Sequence, residues 1–251
     1  SSIDLSHLTD PELSPKDSFS TVFGSTLAEI GDDVPELCAI TAAMKYGTGL
    51  NFFKHRHPGR FFDVGMAEEH AVSFAAGLAS QGLLPVVAIY STFFQRAYDQ
   101  IVHDVSLMHL DVLFAVDRAG LVPGDGATHQ GIYDVAFFSN VNIPVFAPSN
   151  YAELRYWLTY LVREARGPRA IRYPRGGESA KLAQYPCTKQ EYDFLREMPG
   201  AEILLVSYAD ELEDLLEAAD QLNDASQYTD VLKLVKLYPF TDKLIDTVSK
   251  Y

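Results

Sequence analysis

The chain has 251 residues, of which 47% are hydrophobic and 22% charged, as in an ordinary soluble globular protein of one large or two modest domains. No apolar run approaches the ~18 residues of a membrane span, and the polar, acidic start matches neither a secretory signal nor an Arg-rich transit peptide. The formal net charge of −14 argues against nucleic acid as a partner, although a few local basic residues still allow an anionic small ligand.

Two distant cysteines, Cys38 and Cys187, fit neither a disulfide framework nor the ligand spacing of a zinc site. Unpaired thiols are typical of a reducing compartment, so we expect a cytoplasmic protein.

Short apolar runs rich in Val, Ile and aromatic residues recur along most of the chain and predict strands. They lie at 37–42, 61–64, 85–90, 111–117, 144–147 and 170–173. Because hydrophobic and polar residues do not strictly alternate in these runs, we expect strands that are buried on both faces, as in a parallel sheet.

Helical patterns separate these strands. Asp17 or Ser18 can cap a first helix that stops before Gly31, and Gly82 ends a second helix over 67–81. Two more helices are predicted over 92–108 and 150–165. Repeated strand–helix units of this length predict an α/β fold, in which a parallel sheet is flanked by helices on both faces.

The pattern changes after residue 177. Residues 178–200 are polar and mixed, which predicts a linker. A strand at 202–208, an amphipathic helix at 210–222 and a strand at 230–237 then follow. One such unit seldom makes an independent domain. We therefore expect residues 201–251 to be the start of an incomplete second α/β domain, with an acidic surface made by eleven Asp and Glu against four Lys.

Polar side chains collect just after the predicted strands. They are Glu68, Glu69 and His70, then Tyr90, Arg96 and Asp99, then Arg118, Asp125 and His129, and finally Arg172 and Arg175. In open α/β sheets ligands bind beyond the carboxyl ends of the strands, so this edge is the candidate site.

Each of these residues also has a purely structural interpretation. Glu68 or Glu69 at a helix start favours the helix dipole, and His129 is compatible with a packing role. Arg96 and Asp99 are spaced for a surface ion pair, and Phe93 is compatible with the core. Arg172 lies among apolar neighbours and needs an anionic partner, which a ligand or a structural carboxylate can supply equally well. These alternatives leave the function open.

Four motifs together carry a resemblance to a known family. They are F-D-V-G-M-A-E-E-H (62–70), A-I-Y-S-T-F-F-Q-R-A-Y-D-Q-I-V-H-D (88–104), D-R-A-G-L-V-P-G-D-G-A-T-H-Q-G (117–131) and R-Y-P-R-G (172–176). The chain resembles the 1-deoxy-D-xylulose-5-phosphate synthases, which are transketolase-like thiamine diphosphate enzymes, closely over residues 15–180 and loosely over 200–251. The resemblance implies a pyrimidine-binding domain at 1–177 and the start of the family's C-terminal domain after the linker.

The Gly124-Asp125-Gly126 triplet has the sequence with which a Mg²⁺-diphosphate motif begins. That motif also needs an asparagine further along the chain, beyond the distance at which Asn140 and Asn142 lie. Asn150, which lies further along, follows a predicted strand and a Pro-Ser turn. The resemblance places the triplet in a substrate loop and the Mg²⁺ ligands on a separate, earlier domain. We therefore expect no metal ligand on this chain.

The resemblance implies a role for each site residue. Glu68 shares a proton with the aminopyrimidine of thiamine diphosphate, and Phe93 stacks on that ring. The residues that face the substrate are Tyr90, Arg96, Asp125 and His129, and His129 exchanges a proton with the acceptor aldehyde. Arg118 and Arg172 clamp the phosphate of D-glyceraldehyde 3-phosphate. Glu69 replaces the usual Gln, and we expect it to point away from the site.

The implied reaction joins pyruvate to D-glyceraldehyde 3-phosphate with loss of CO₂, at the start of isoprenoid, thiamine and pyridoxal synthesis. It implies a homodimer, and a chain that is inactive without the missing diphosphate-binding domain or a partner subunit. One alternative is the C-terminal subunit of a split transketolase-like enzyme, against which the Y-S-T-F-F-Q-R-A-Y-D-Q string argues. Another is a non-catalytic dimerisation or regulatory module, against which the intact site residues argue.

Overall fold

The computed structural model describes residues 17–251. The predictions about the start of the chain, including the first part of the domain at 1–177, concern residues 1–16 and lie outside the described residues.

A seven-stranded sheet forms the centre of the fold. Its strands are β1 (Leu37–Thr41), β2 (Phe61–Asp63), β3 (Leu84–Tyr90), β4 (Leu113–Asp117), β5 (Val145–Phe146), β6 (Arg169–Arg172) and β10 (Lys236–Tyr238). They lie in the order β10-β5-β6-β4-β3-β1-β2. All neighbours are parallel except β10, which pairs antiparallel with β5. The predicted α/β fold with a mainly parallel sheet is therefore confirmed.

The central strands are buried on both faces, as predicted. In β3, Val86 and Ala88 pack into one hydrophobic cluster, whereas Val87 and Ile89 pack into the cluster on the other face. The expectation was wrong for β2, whose residues are only partly buried or exposed. The reason is its position, because β2 is the edge strand and pairs with β1 alone.

Helices cover both faces of this sheet. They are α1 (Phe19–Asp33), α2 (Leu50–Arg56), α3 (Glu68–Ser80), α6 (Asp134–Asn140) and α7 (Tyr151–Arg163), together with the two short helices α4 (Ser91–Phe94) and α5 (Tyr98–Gln100). Ser18 caps α1, and Gly82 follows α3 with a φ of 84°, as the sequence predicts. However, α1 continues through Gly31 to Asp33, and the glycine leaves room there for the ring of His57, with which a Cβ would collide.

The single helix predicted over 92–108 is broken. After α4 the chain tightens into a 3₁₀ turn (Gln95–Ala97), passes through α5 and then forms a π-helical segment (Ile101–Ser106). Phe94, Ala97, Ile101 and Val105 are all fully buried, so one buried stripe persists while the backbone bonding changes. Such irregular helices are frequent beside functional sites.

A second, three-stranded sheet follows in the order β7-β9-β8. It contains β7 (Tyr192–Arg196), β8 (Ile203–Ser207) and β9 (Thr229–Leu234), with α8 (Leu212–Asp224) packed on it and α9 (Asp242–Val248) after β10. The predicted strand at 202–208 and helix at 210–222 are present. The predicted linker over 178–200 contains a strand, β7, which pairs antiparallel with β9.

The second predicted strand, at 230–237, divides between the two sheets. β9 pairs in the small sheet, and at Val235 the chain crosses to the large one, where the backbone N–H of Ala147 donates to the carbonyl of Val235. A buried ion pair between Lys233 of β9 and Glu153 of α7 joins the same two parts of the fold. Residues 201–251 therefore contribute directly to the large sheet.

Candidate active site

The carboxyl ends of β2, β3, β4 and β6 lie along one edge of the large sheet, because these strands all run parallel to one another. The polar residues singled out in the sequence follow these ends. The structure brings most of them together in two neighbouring groups, one around Glu68 and Phe93 and the other around Arg118.

Glu68 is the first residue of α3 and is only 3% exposed. Its carboxylate accepts hydrogen bonds from Nη1 of Arg96 at 3.2 and 3.4 Å. Arg96 itself is 55% exposed, so its guanidinium covers the buried carboxylate from the solvent side. Glu69 is exposed, in agreement with the expectation that it points away.

Phe93 and Phe94 separate the site from the core. Phe94 is fully buried among aromatic core residues, whereas Phe93 is partly buried and faces the strand ends. The Phe93 ring stacks on the Tyr90 ring with a centroid distance of 6.0 Å. It also forms a T-shaped contact with the His129 ring, with a centroid distance of 5.3 Å. The guanidinium of Arg96 lies 5.2 Å from the centroid of the same ring. Glu68 and this aromatic cluster are therefore connected through one arginine.

Arg118 is held from three directions. Its Nε donates to Asp125 at 3.1 Å, and its Nη1 donates to the carbonyl of Gly47 and to Asp117, both at 2.9 Å. The guanidinium lies over the ring of Tyr90, 3.8 Å from the centroid. Arg118 adopts a left-handed φ of 57°, which is uncommon for a residue with a side chain.

The loop between β4 and α6 carries both Asp125 and His129, and its two ends are fixed to each other. Gly120 and Gly131 exchange backbone hydrogen bonds of 2.7 and 2.8 Å. Within the loop, the side chain of Gln130 bonds both the N–H and the carbonyl of Val122. These bonds place Asp125 against Arg118 and His129 against Phe93.

Arg172 does not join either group. It is 3% exposed, its Nε donates to the buried Asp134 of α6 at 2.7 Å, and its guanidinium lies 5.2 Å from the ring centroid of Tyr208. Of the two interpretations open for this residue, the structure shows the structural carboxylate partner. Its assignment to the phosphate clamp stays a prediction, and the pair with Asp134 favours the structural interpretation.

Arg175, three residues after Arg172, joins the group around Arg118. Its Nε lies 3.1 Å from Asp125, the same carboxylate that Arg118 contacts through its other oxygen. The two guanidinium groups thus converge on one anion. The R-Y-P-R-G motif contains both arginines, three residues apart, and the sequence alone does not show which of them faces the site.

Arg118 and Arg175 both line a cavity of about 460 Å³. Its walls come from α1 and from the loops that precede α2 and follow β6. The other lining residues are Asp17, Ser18, Ser20, Thr21, Tyr46, Gly47, Gly49, Asn51, Phe52 and Gly176. A ligand with a negatively charged group matches the two arginines that face this cavity.

Asp117, the last residue of β4, is a site residue that sequence reasoning missed. It is fully buried, and its carboxylate accepts hydrogen bonds from the Ser20 hydroxyl at 2.7 Å and from Arg118 at 2.9 Å. Burial raises the pKa of Asp117 to about 6, although the neighbouring Arg118 opposes this change. An acidic residue at the end of a buried strand, directly before an arginine, was the available signal.

Within residues 17–251, no group of three or more His, Cys, Asp and Glu side chains is arranged to hold a metal ion. None of the helices described there has the length and apolar character that crossing a membrane requires.

Comparison with known proteins identifies the class to which this fold and site belong. Residues 16–177 match the family model described as the transketolase, pyrimidine binding domain, and the chain belongs to this family. Curated relatives named 1-deoxy-D-xylulose-5-phosphate synthase include one from Natranaerobius thermophilus, 50% identical over 82% of this chain and 33% of that protein. Another, from Carboxydothermus hydrogenoformans, is 44% identical over 95% of this chain and 38% of that protein. The chain thus spans about a third of the length of these relatives.

Solved structures support the same fold. A structure described as a split gene transketolase, an inactive β4 tetramer, superposes with a TM-score of 0.78 and 27% identity over 93% of this chain and 76% of that chain. A transketolase from Campylobacter jejuni has a TM-score of 0.73 and 19% identity, with 90% of this chain and 37% of that chain covered.

Proposed function

We propose that this chain supplies the pyrimidine-binding and acceptor-binding side of an enzyme that joins pyruvate to D-glyceraldehyde 3-phosphate and releases CO₂. One observation carries the proposal: a buried carboxylate, an aromatic cluster and a convergent pair of arginines lie side by side at one edge of the sheet. The relatives named 1-deoxy-D-xylulose-5-phosphate synthase support the choice of reaction.

The residues around Glu68 fit the aminopyrimidine of thiamine diphosphate. Glu68 is buried, and its one ion-pair partner among the described residues, Arg96, is exposed. A buried carboxylate at this place can share a proton with a ring nitrogen, and the adjacent Phe93 ring offers a surface for stacking. Thiamine diphosphate, when bound, supplies the carbanion chemistry that releases CO₂ from pyruvate.

Arg118 and Arg175 form the proposed site for the phosphate of the acceptor. Both already contact the carboxylate of Asp125, which shows that two guanidinium groups reach a single anionic position. Guanidinium groups bind phosphate through paired, charge-assisted hydrogen bonds. This local pair also explains how a chain with a net charge of −14 accepts an anionic substrate.

His129 is the proposed proton donor to the acceptor. Its ring lies 5.3 Å from the Phe93 centroid and 6.5 Å from that of Tyr90, between the proposed cofactor and phosphate positions. When the new C–C bond forms, the aldehyde oxygen gains a negative charge and takes up a proton to become a hydroxyl. A histidine beside that oxygen can donate the proton.

The remaining parts of the enzyme are proposed to come from outside the described residues. They are the segment that binds the diphosphate with Mg²⁺ and, as in the implied family arrangement, a second copy of the chain. The free Cys38 and Cys187 fit a reducing compartment, so we place the protein in the cytoplasm.

Replacement of Glu68 tests the cofactor assignment. In the complete, assembled enzyme, Glu68→Gln should lower kcat by about 10²–10⁴-fold, because the proton-sharing carboxylate is lost. The matched control is Glu69→Gln, an adjacent and exposed residue whose replacement should leave kcat and the unfolding midpoint unchanged. Equal kcat values for the two variants would refute the role of Glu68.

Replacement of Arg175 tests the phosphate assignment. Arg175→Ala should raise the KM for D-glyceraldehyde 3-phosphate about 10- to 100-fold and leave the KM for pyruvate unchanged. Arg166→Ala, which removes an exposed arginine remote from the cavity, is the control. Arg172→Ala should lower the unfolding midpoint instead, because it leaves the buried Asp134 unpaired. A normal acceptor KM for Arg175→Ala would remove this residue from the site.

A second candidate function follows from the likeness to the split gene transketolase, of which this chain covers 76%. In that case the chain is one subunit of a two-subunit transketolase-like enzyme. Donor specificity distinguishes the two: pyruvate consumption with CO₂ release supports the first function, whereas transfer from a ketose phosphate without CO₂ release supports the second. If the chain shows neither activity after reconstitution with a diphosphate-binding partner, this result would support a non-catalytic module.

A further inference from the structure

Asp117 is a buried acid that the proposed reaction does not use directly. It ends β4, the strand in the middle of the large sheet, and both of its carboxylate oxygens are engaged. Oδ2 accepts from the hydroxyl of Ser20, and Oδ1 accepts from Nη1 of Arg118. A buried carboxylate is costly unless it is fully paired, so these two contacts define what Asp117 does in this fold.

The contacts of Arg118 leave one end of its guanidinium available. Asp125 occupies Nε, and Asp117 and the Gly47 carbonyl occupy Nη1. Among the described residues, no hydrogen-bond acceptor is assigned to Nη2. Since the guanidinium is planar and lies on the Tyr90 ring, fixing Nε and Nη1 also fixes the direction of Nη2.

Ser20 anchors this arrangement to α1. The backbone of α1 packs very closely on the loop before α2: a Cβ on Gly49 would lie 2.0 Å from the Ser20 carbonyl, and one on Gly24 would lie 1.9 Å from the Gly49 carbonyl. The loop that provides the Gly47 carbonyl and the helix that provides Ser20 are therefore held as one unit. Both reach Arg118, one directly and one through Asp117.

We propose that Asp117 is a positioning residue that fixes the Arg118 guanidinium for the phosphate of the acceptor, and that Ser20 fixes Asp117 in turn. This inference rests on the proposed function of Arg118. It assigns the selectivity for a phosphorylated acceptor partly to a residue that does not contact the ligand.

The test compares two acceptors in the complete enzyme, D-glyceraldehyde 3-phosphate and unphosphorylated D-glyceraldehyde. The measured quantity is the ratio of their kcat/KM values. Asp117→Asn should reduce this ratio about tenfold, mostly through the KM of the phosphorylated acceptor, because a neutral amide holds the guanidinium less firmly. Ser20→Ala should reduce it about threefold by the same route, and the KM for pyruvate should stay constant in both variants.

Two matched variants separate positioning from folding. Asp134→Asn removes the charge of another buried Asp–Arg pair, and should lower the unfolding midpoint without changing the acceptor ratio. Ser25→Ala removes a hydroxyl of α1 whose one hydrogen-bond partner within residues 17–251 is the Val22 carbonyl, and should change neither quantity. If Asp117→Asn does not fold, Ser20→Ala still decides the question.

Arg118→Ala distinguishes failure of this inference from failure of the proposed function. If Arg118→Ala abolishes the preference for the phosphorylated acceptor while Asp117→Asn and Ser20→Ala keep it, the positioning role is refuted and the phosphate site stands. If Arg118→Ala also keeps the preference, the phosphate site itself is wrong, and the positioning role falls with it.

Discussion

The ionisation of Asp117 should appear directly in the pH dependence of stability. Burial raises its pKa from 3.8 to about 6. Between these values the folded protein keeps the proton that the unfolded chain has already released. The free energy of unfolding should therefore fall as the pH rises through this range, because the folded state binds more protons than the unfolded state. The difference between the folded and unfolded pKa of Asp117 corresponds to a total fall of about 3 kcal/mol in the free energy of unfolding.

The Asp117→Asn variant isolates this contribution, because an asparagine does not titrate. The other ionisable groups are common to both proteins, so their contributions to the pH dependence of stability largely cancel when the two proteins are compared. Between pH 4 and pH 7.5, the free energy of unfolding of the variant relative to the wild type should increase by about 2.5 kcal/mol, whatever the pH-independent effect of the substitution is.

Urea unfolding of both proteins at several pH values measures this difference, with constant m-values as the check that the unfolded states are comparable. A pH-independent difference between wild type and Asp117→Asn would contradict the reasoning, and so would an increase in wild-type stability relative to the variant.

Two further stability predictions follow from close contacts. Lys233→Met should lower the free energy of unfolding by about 3–5 kcal/mol, because it leaves the buried carboxylate of Glu153 without its cation. Adding Glu153→Gln should recover most of this loss. Urea unfolding of the single and double variants checks both values. Gly24→Ala should lower the unfolding midpoint strongly, because the new Cβ would lie 1.9 Å from the Gly49 carbonyl oxygen. Gly77→Ala, whose Cβ would have nothing within 4 Å, should stabilise α3 by up to about 1 kcal/mol. Equal effects of the two glycine substitutions would refute the packing argument.

The strands of the large sheet could be predicted from the sequence because a doubly buried strand has a strong local signal. In β3 and β4 every residue but Tyr90 is buried, and the residues are predominantly apolar. β10 was not separable from β9, because the apolar pattern runs through Val235 without interruption. What divides the two strands is the hydrogen bond from Ala147 to Val235, a long-range contact with no sequence signature.

The segment that was expected to be a linker illustrates a second limit. Y-D-F-L-R at 192–196 is short and contains two charged residues, so composition favours a loop. It forms β7 because β9 offers an open edge, with Tyr192 opposite Leu234 and Phe194 opposite Leu232. Strand formation at such a place depends on the partner strand more than on intrinsic propensity.

The different surroundings of Arg172 and Arg175 have a definite physical cause. Arg172 lies within β6, so its side chain is directed at the helices that cover the sheet, and the helix it meets is α6. That helix was not predicted, and without it Asp134 was not available as a partner, so a ligand anion remained an equal alternative. Arg175 lies three residues beyond the strand and reaches back over the edge to Asp125. For two arginines in one short motif, the distinction between structural and ligand-facing roles therefore depends on where the strand ends and on which element covers it, and both are set by tertiary packing.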